Sequence, residues 1–93
     1  MRDFEWDDGK AAANLAKHGV SFNEAETVFT DPLARIDDDP DHSRDERRYL
    51  IVGHSGAGRL LLVSFTDRDD VIRIINARKT DREERQRYEE DIL

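Results

Sequence analysis

The sequence predicts a small α+β domain: an antiparallel sheet with two helices ahead of it and one behind it. Three observations carry that expectation. Two helix starts lie close together near the N-terminus, three apolar stretches with strand character follow in quick succession, and a capped, heavily charged segment closes the chain. The loops between the three stretches, His54-Ser55-Gly56-Ala57-Gly58 and Asp67-Arg68-Asp69-Asp70, are short. Such connections make antiparallel hairpins, because a parallel crossover needs a dozen residues or more.

Phe4-Glu5-Trp6 alternates apolar and polar residues as a short strand does. Asp7 is placed to cap a helix over residues 8–18, with Asp8 favourable in its first turn. Ala11, Leu15 and Ala12 are expected on its inner face. Gly19 suits the left-handed residue that ends a helix, and His18 adds positive charge to the last turn. Ser21-Phe22-Asn23-Glu24 is a capping box that opens a second helix, with Phe22, Ala25, Val28 and Phe29 inward. Thr30-Asp31-Pro32 stops it, since the residue before a proline is pushed out of helical geometry.

Residues 33–36 are expected as a strand, and Asp37-Asp38-Asp39-Pro40-Asp41 as a solvated loop, because such density of like charge cannot pack. Strands at 47–52, 59–66 and 71–77 come next. Thr80-Asp81-Arg82-Glu83 reads as another capping box, starting a C-terminal helix that carries Tyr88 and Ile92.

The 93 residues suffice for one domain, 1–93, and are too few for two. Charged residues (40%) outnumber hydrophobic ones (37%), so the core is small and the surface crowded with charge. The absence of cysteine excludes disulfides and thiolate metal sites and suits a reducing cytoplasm. No apolar segment resembles a secretion signal or a membrane span. The net charge of −7 argues against a nucleic-acid partner at first sight. Its distribution is uneven. Through Glu46 the chain has five Lys/Arg against thirteen Asp/Glu; after it, ten against nine. A local basic surface therefore fits the second half, and a basic protein partner fits the acidic total.

Gly53-His54-Ser55 opens a pattern like the nucleophile elbow of serine hydrolases. That elbow needs a glycine two positions after the serine and then a helix. Here Ala57 stands at that position, and residues 59–66 read as strand. Ser55 belongs to a hairpin loop and is not a nucleophile.

The arginines of the second half are more informative. Arg59 begins one strand, Arg68 lies in a turn, Arg73 interrupts Val71-Ile72-Arg73-Ile74-Ile75, and Arg78-Lys79 ends that strand. Plain alternation puts Arg73 on one face with Val71, Ile75 and Ala77, and Arg59 with Leu61, Val63 and Phe65. With 22 acids available, ordinary ion pairing explains any one of them. As a cluster they suggest a phosphate site, since the planar guanidinium grips phosphate oxygens two at a time. Arg82, Arg85 and Arg87, interleaved with Glu83, Glu84 and Glu89, read as a solvated helix face. His18, His42 and His54 lack metal-ligand spacing, and the aspartate run lacks the glycine and final glutamate of a calcium loop. No metal or cofactor is expected.

Taken in order, several phrases resemble the BrnT family of toxins. They are Phe4-Glu5-Trp6-Asp7, Asn14 with Lys17-His18-Gly19-Val20, Phe22 with Glu24-Ala25 and Val28-Phe29, and Asp31-Pro32. His42-Ser43 with Glu46-Arg47, Gly58-Arg59, Arg73-Ile74-Ile75, Ala77-Arg78-Lys79, and Glu84 with Tyr88-Glu89 complete the match. Asn76 stands where the family usually carries serine.

The resemblance implies a RelE-like fold and the toxin of a type II toxin–antitoxin pair. It also implies RNA cleavage that halts translation, and a BrnA-like antitoxin in a 2:2 complex that touches operator DNA only through the antitoxin. Cutting RNA without a metal requires a base for the 2′-hydroxyl, cations for the charge gathering on phosphorus, and an acid for the leaving 5′-oxygen. Arg59, Arg73 and Arg78 are expected to bind and stabilise the phosphate, converging on one pocket, with Lys79 and Arg68 helping to bind substrate. Glu46 is expected either as the base or as the group orienting an arginine, and His42 and Tyr88 as proton donors. The rival expectation is a non-catalytic subunit that binds an antitoxin and helps it on DNA.

Overall fold

The computed structural model describes residues 3–42 and 45–91. The elements run β1 (Asp3–Glu5), α1 (Asp8–His18), α2 (Phe22–Thr27), a 3-10 turn (Val28–Thr30), β2 (Arg35–Asp38), a second 3-10 turn (Pro40–His42), β3 (Arg48–His54), β4 (Leu60–Arg68), β5 (Val71–Lys79) and α3 (Arg82–Asp91). They form one five-stranded sheet in the order β1-β5-β4-β3-β2. The α+β class and the central meander are as expected. The sheet is mixed, however, because β1 joins β5 in parallel while the other pairs are antiparallel. Local hairpin signals cannot reveal a pairing between two strands separated by almost the whole chain.

Local chemistry sets the helix ends. The Asp7 carboxylate accepts from Lys10 N–H at 2.8 Å, and Gly19, at φ 68°, closes α1 with its N–H on Leu15 O. Ser21 Oγ accepts from Glu24 N–H at 3.0 Å, whereas the Glu24 carboxylate is drawn away to Arg59 and Ser55. The box at α3 begins one residue later than expected: Asp81 Oδ1 accepts from Glu84 N–H, and Glu84 Oε1 from Asp81 N–H. Thr80 instead turns its hydroxyl toward Leu60 O. Ile92 lies outside the described residues.

One face of the sheet carries the core. Ile51, Leu61, Val63, Phe65, Ile72, Ile74 and Ala77 pack against Val20, Phe22, Ala25 and Val28. Phe22, Ala25, Val28 and Phe29 point inward as expected, but α1 differs. Asn14 is its buried residue, while Leu15 is 52% exposed and Ala12 is exposed too. Asn14 Nδ2 donates to Val20 O and Ala77 O, and Ala77 N–H donates to Asn14 Oδ1, so a polar residue docks the helix on β5. Gly53 lies where a Cβ would come within 3.0–3.1 Å of Ala34, Asp31 and Val28; the glycine is there for close packing.

Two departures from the expected strands matter for the site. Strand β2 is shifted onto Asp37 and Asp38, which remain exposed on an edge strand, so only part of the acidic run is loop. Strand β5 carries a bulge: Ser64 faces Asn76 and Phe65 faces Ile74, leaving Ile75 as the extra residue. Beyond it the alternation flips. Ala77 joins Ile72 and Ile74 on the core face, not Arg73 as plain alternation required. Arg73 and Arg78, opposite Thr66 and Leu62, both end up on the other face.

Candidate functional site

The face of the sheet away from α1 and α2 is shared between two tenants. At one end α3 covers Leu50, Val52 and Leu62 with Glu84 and Tyr88. At the other end it opens into a cleft of about 540 Å³. Register brings a row of polar side chains across its floor: Arg48 on β3 opposes Thr66 on β4, Thr66 opposes Arg73 on β5, and Arg73 opposes Glu5 on β1. Adjacent strands lie about 4.8 Å apart, so Arg48 and Arg73 flank Thr66 on one face of the sheet.

The rim brings Lys10 from α1, Asp41 and His42 from the second 3-10 turn, Asp45 and Glu46 from the loop, and Arg68 from β4. Four cations, Lys10, Arg48, Arg68 and Arg73, meet the carboxylates of Asp41, Asp45 and Glu46, with Glu5 on the floor as the fourth, so the cleft is balanced in charge on an acidic protein. Arg73 is loosely held, with Nη1 3.6 Å from Glu5 Oε1, beyond hydrogen-bond range. Thr66 Oγ1 is buried without a hydrogen-bond partner among the described residues.

Glu46 and Arg68 form a two-pronged pair: Nε donates to Oε2 at 2.6 Å and Nη2 to Oε1 at 2.7 Å. That pairing holds the Glu46 carboxyl below its ordinary range, with burial opposing the shift and the Arg68, Arg73 and Arg48 charges adding to it. A carboxylate so stabilised is a weakened base and a good orienting group. His42 Nδ1 lies 3.0 Å from both oxygens of Asp39. A carboxylate can only accept there, so Nδ1–H is the donor and Nε2 is the ring nitrogen left for other partners.

Four of the expected site residues therefore meet in one cleft: Glu46, Arg68, Arg73 and His42. The other four do not. Arg59 Nε donates to Glu24 Oε2 at 2.9 Å, its Nη2 pairs with Oε1 of the same carboxylate, and Nη2 also reaches Gly19 O at 3.0 Å. It fastens the start of β4 to α2, on the core side. Arg59 thereby raises its own affinity for the proton and lowers that of Glu24. Lys79 adds its charge to the same carboxylate.

Arg78 shares the face of Arg73, but α3 intervenes. Its Nη1 and Nη2 each donate to Glu84 at 2.8 Å, and it lies five residues along β5 from Arg73. The expected convergence of Arg59, Arg73 and Arg78 on one pocket is thus corrected. Two of the three are committed to ion pairs that hold helices to the sheet.

Tyr88 is buried under α3 and donates to Asp31 Oδ2 at 2.8 Å, with its oxygen 3.2 Å from His54 Nδ1. Burial, and then the bond to Asp31, push its hydroxyl up to about 12, which makes it a poor proton donor to substrate. Asp31 also accepts from the N–H groups of His54 and Leu33. Burial alone would raise its carboxyl, but these bonds outweigh burial and lower it. Ser55 is occupied as well: its Oγ donates to Glu24 Oε2 and accepts from Ala57 N–H and Arg59 N–H.

Arg48, Thr66, Lys10 and Glu5 were not singled out from the sequence. Once β3 is aligned with β4, Arg48 falls opposite Thr66 and the alternation Arg48, Leu50, Val52 becomes meaningful. Lys10 and Glu5 had no such signal, because only the parallel placement of β1 brings that segment beside β5. Among the described residues no group of three or more His, Asp or Glu is arranged to hold a metal ion. No described helix is long and apolar enough to cross a membrane.

Comparison with known proteins agrees with the fold. The family model for the ribonuclease toxin BrnT of type II toxin–antitoxin systems matches residues 6–84. The crystal structure of the Brucella abortus ribonuclease toxin BrnT superposes with a TM-score of 0.67 at 20% identity, over 88% of this chain and 100% of that one. At that identity it shows the fold. No curated protein matches in sequence.

Proposed function

Because the chain belongs to the BrnT family, the ribonuclease toxins of type II toxin–antitoxin systems, we propose that its arginine-lined cleft is where RNA is cut, without a metal ion. The cut stops translation until a BrnA-like antitoxin neutralises the protein. The observation that carries this reading is the row Arg48–Thr66–Arg73 across three strands, with the His42–Asp39 pair on its rim.

Each requirement of the reaction has a group suited to it. A backbone phosphate on the row is gripped by Arg73 and Arg48, whose fixed positive charge stabilises the extra negative charge of the pentavalent transition state. His42, oriented by Asp39, takes the proton of the 2′-hydroxyl through Nε2. As the 2′-oxygen bonds to phosphorus and the P–O5′ bond breaks, the proton passes to the leaving 5′-oxygen. Glu46 holds the Arg68 fork at the cleft mouth, which favours the orienting role over the basic one. Arg68 and Lys10 extend the positive surface along the neighbouring phosphates.

The antitoxin pairs with the toxin as a 2:2 complex and supplies the contact with operator DNA, and the complex acts in the cytoplasm. The test is cleavage of purified RNA by the purified chain in the presence of EDTA. Arg73→Ala should slow the cut by about 10²–10³-fold, the usual loss for one donor to a developing anion. A folded Arg73→Ala protein that cuts like wild type removes the cleft from the mechanism. A wild type that never cuts, yet binds its antitoxin, returns the chain to the reading of a non-catalytic subunit.

A further inference from the structure

The cleft has a counterpart on the reverse of the same strands. In four adjacent pairs, Glu5, Arg48, Thr66 and Arg73 face the cleft while Phe4, Tyr49, Phe65 and Ile72 face the opposite side. There they floor an open groove of about 500 Å³, walled by Phe29 and by Ile36 on the edge strand β2. Phe29 meets Phe4 and Phe65 edge-on at centroid separations of 5.1 and 5.0 Å, and Tyr49 stacks on Phe65 at 5.6 Å. Ile36 is 56% exposed. Phe65 and Ile72 are buried at its base, Phe4, Phe29 and Tyr49 are half-buried along it, and Ile36 stands open to water, so a partner laid in the groove would meet apolar side chains.

We propose that this groove receives an amphipathic helix of the antitoxin, with apolar anchors at helical spacing and Lys or Arg at its flanks. The inference rests on the toxin reading above, which supplies a protein partner. Charge selects the kind of partner. Asp67 lines the groove, and Asp69 and Asp70 follow in the adjoining turn. The chain as a whole carries a net charge of −7. A basic helix is attracted to such a rim, whereas nucleic acid and a second copy of this acidic chain are repelled.

The test uses a purified BrnA-like antitoxin, with binding measured by calorimetry against wild type, Ile36→Glu and Leu15→Glu. Ile36 and Leu15 are similarly exposed, at 56% and 52%, so both variants should fold, and they differ in whether they touch the groove. Ile36→Glu should weaken binding by about 30-fold or more, and Leu15→Glu by less than about twofold. Ile36→Glu should still cut RNA like wild type while escaping neutralisation, and wild-type binding should weaken as salt is added. Unchanged affinity for Ile36→Glu, or an equal loss for Leu15→Glu, overturns the groove assignment and leaves the toxin reading standing. A wild-type dimer dissolved by Ile36→Glu gives the groove to a second copy and overturns it too. Absence of wild-type binding does the same, and RNA cleavage by that preparation tells whether the toxin reading falls with it.

Discussion

The side-chain amide of Asn14 pairs with both backbone groups of Ala77: Nδ2 donates to its carbonyl at 2.8 Å, and Oδ1 accepts from its N–H at 3.0 Å. This link holds α1 on β5 just past the bulge at Ile75, where the strand turns its faces over. It also reaches Val20 O, closing the loop between the two first helices. Replacing Asn14 with Ala leaves buried backbone groups without partners, an outcome more costly than the bond itself is favourable. Asn14→Ala should lose about 2–4 kcal/mol in urea unfolding, and Asn14→Leu should not recover it. A stable Asn14→Leu protein would mean that the site is held by packing alone.

Arg59 and Arg73 should separate stability from chemistry. Arg59→Ala breaks the pair with Glu24 and should lower the melting temperature, while RNA cleavage per folded molecule stays near wild type. Arg73→Ala should do the reverse, since Arg73 stands in the cleft at 3.6 Å from Glu5 rather than in a close pair. Thermal melts beside cleavage assays decide this, and a cleavage defect in well-folded Arg59→Ala would restore that arginine to the reaction.

Thr66 offers a test that does not depend on activity. Its buried hydroxyl has no partner among the described residues, so Thr66→Val keeps the shape and removes an unpaired polar atom. The variant should be as stable as wild type or more stable, by up to about 1–3 kcal/mol. A clear loss of stability would show that the hydroxyl is bonded in solution.

Alkaline unfolding should report on Tyr88. Its hydroxyl is raised from 10.0 to about 12 by burial and by the bond to Asp31. A raised folded value gives stability that is complete below pH 10 and drains away as pH climbs toward 12, because the unfolded chain ionises first. Two units correspond to about 2–3 kcal/mol. Tyr88→Phe should abolish that part of the alkaline decline. At the acid end the sign reverses: Asp31, Glu24 and Glu84 are lowered in the folded chain, so their contributions are present above their ordinary values and vanish as pH falls through the folded ones. Asp31→Asn should flatten the acid limb.

The sequence by itself determined whatever depends on neighbours in the chain. Asp7, Gly19 and Ser21 place two helices through capping geometry that spans three or four residues, and the short connectors force β3, β4 and β5 into a meander. Arg68, Arg73, Glu46 and His42 were among the eight residues expected at the site, but nothing local in the sequence set them apart from Arg59, Arg78, Lys79 and Tyr88.

What only the tertiary structure decided depends on pairings across the chain. An extra residue at Ile75 carries no sequence mark, yet it reverses the side of the sheet on which Ala77 and Arg78 fall. An arginine's choice between substrate and carboxylate rests on which acid folding brings within 3 Å. Glu24 captures Arg59, Glu84 captures Arg78, and Arg73 meets no such partner at that distance among the described residues. Strand β1, sixty residues and more away in sequence, supplies the edge that completes both the cleft and the groove behind it. Register and ion-pair choice are long-range quantities, fixed only when the whole core closes.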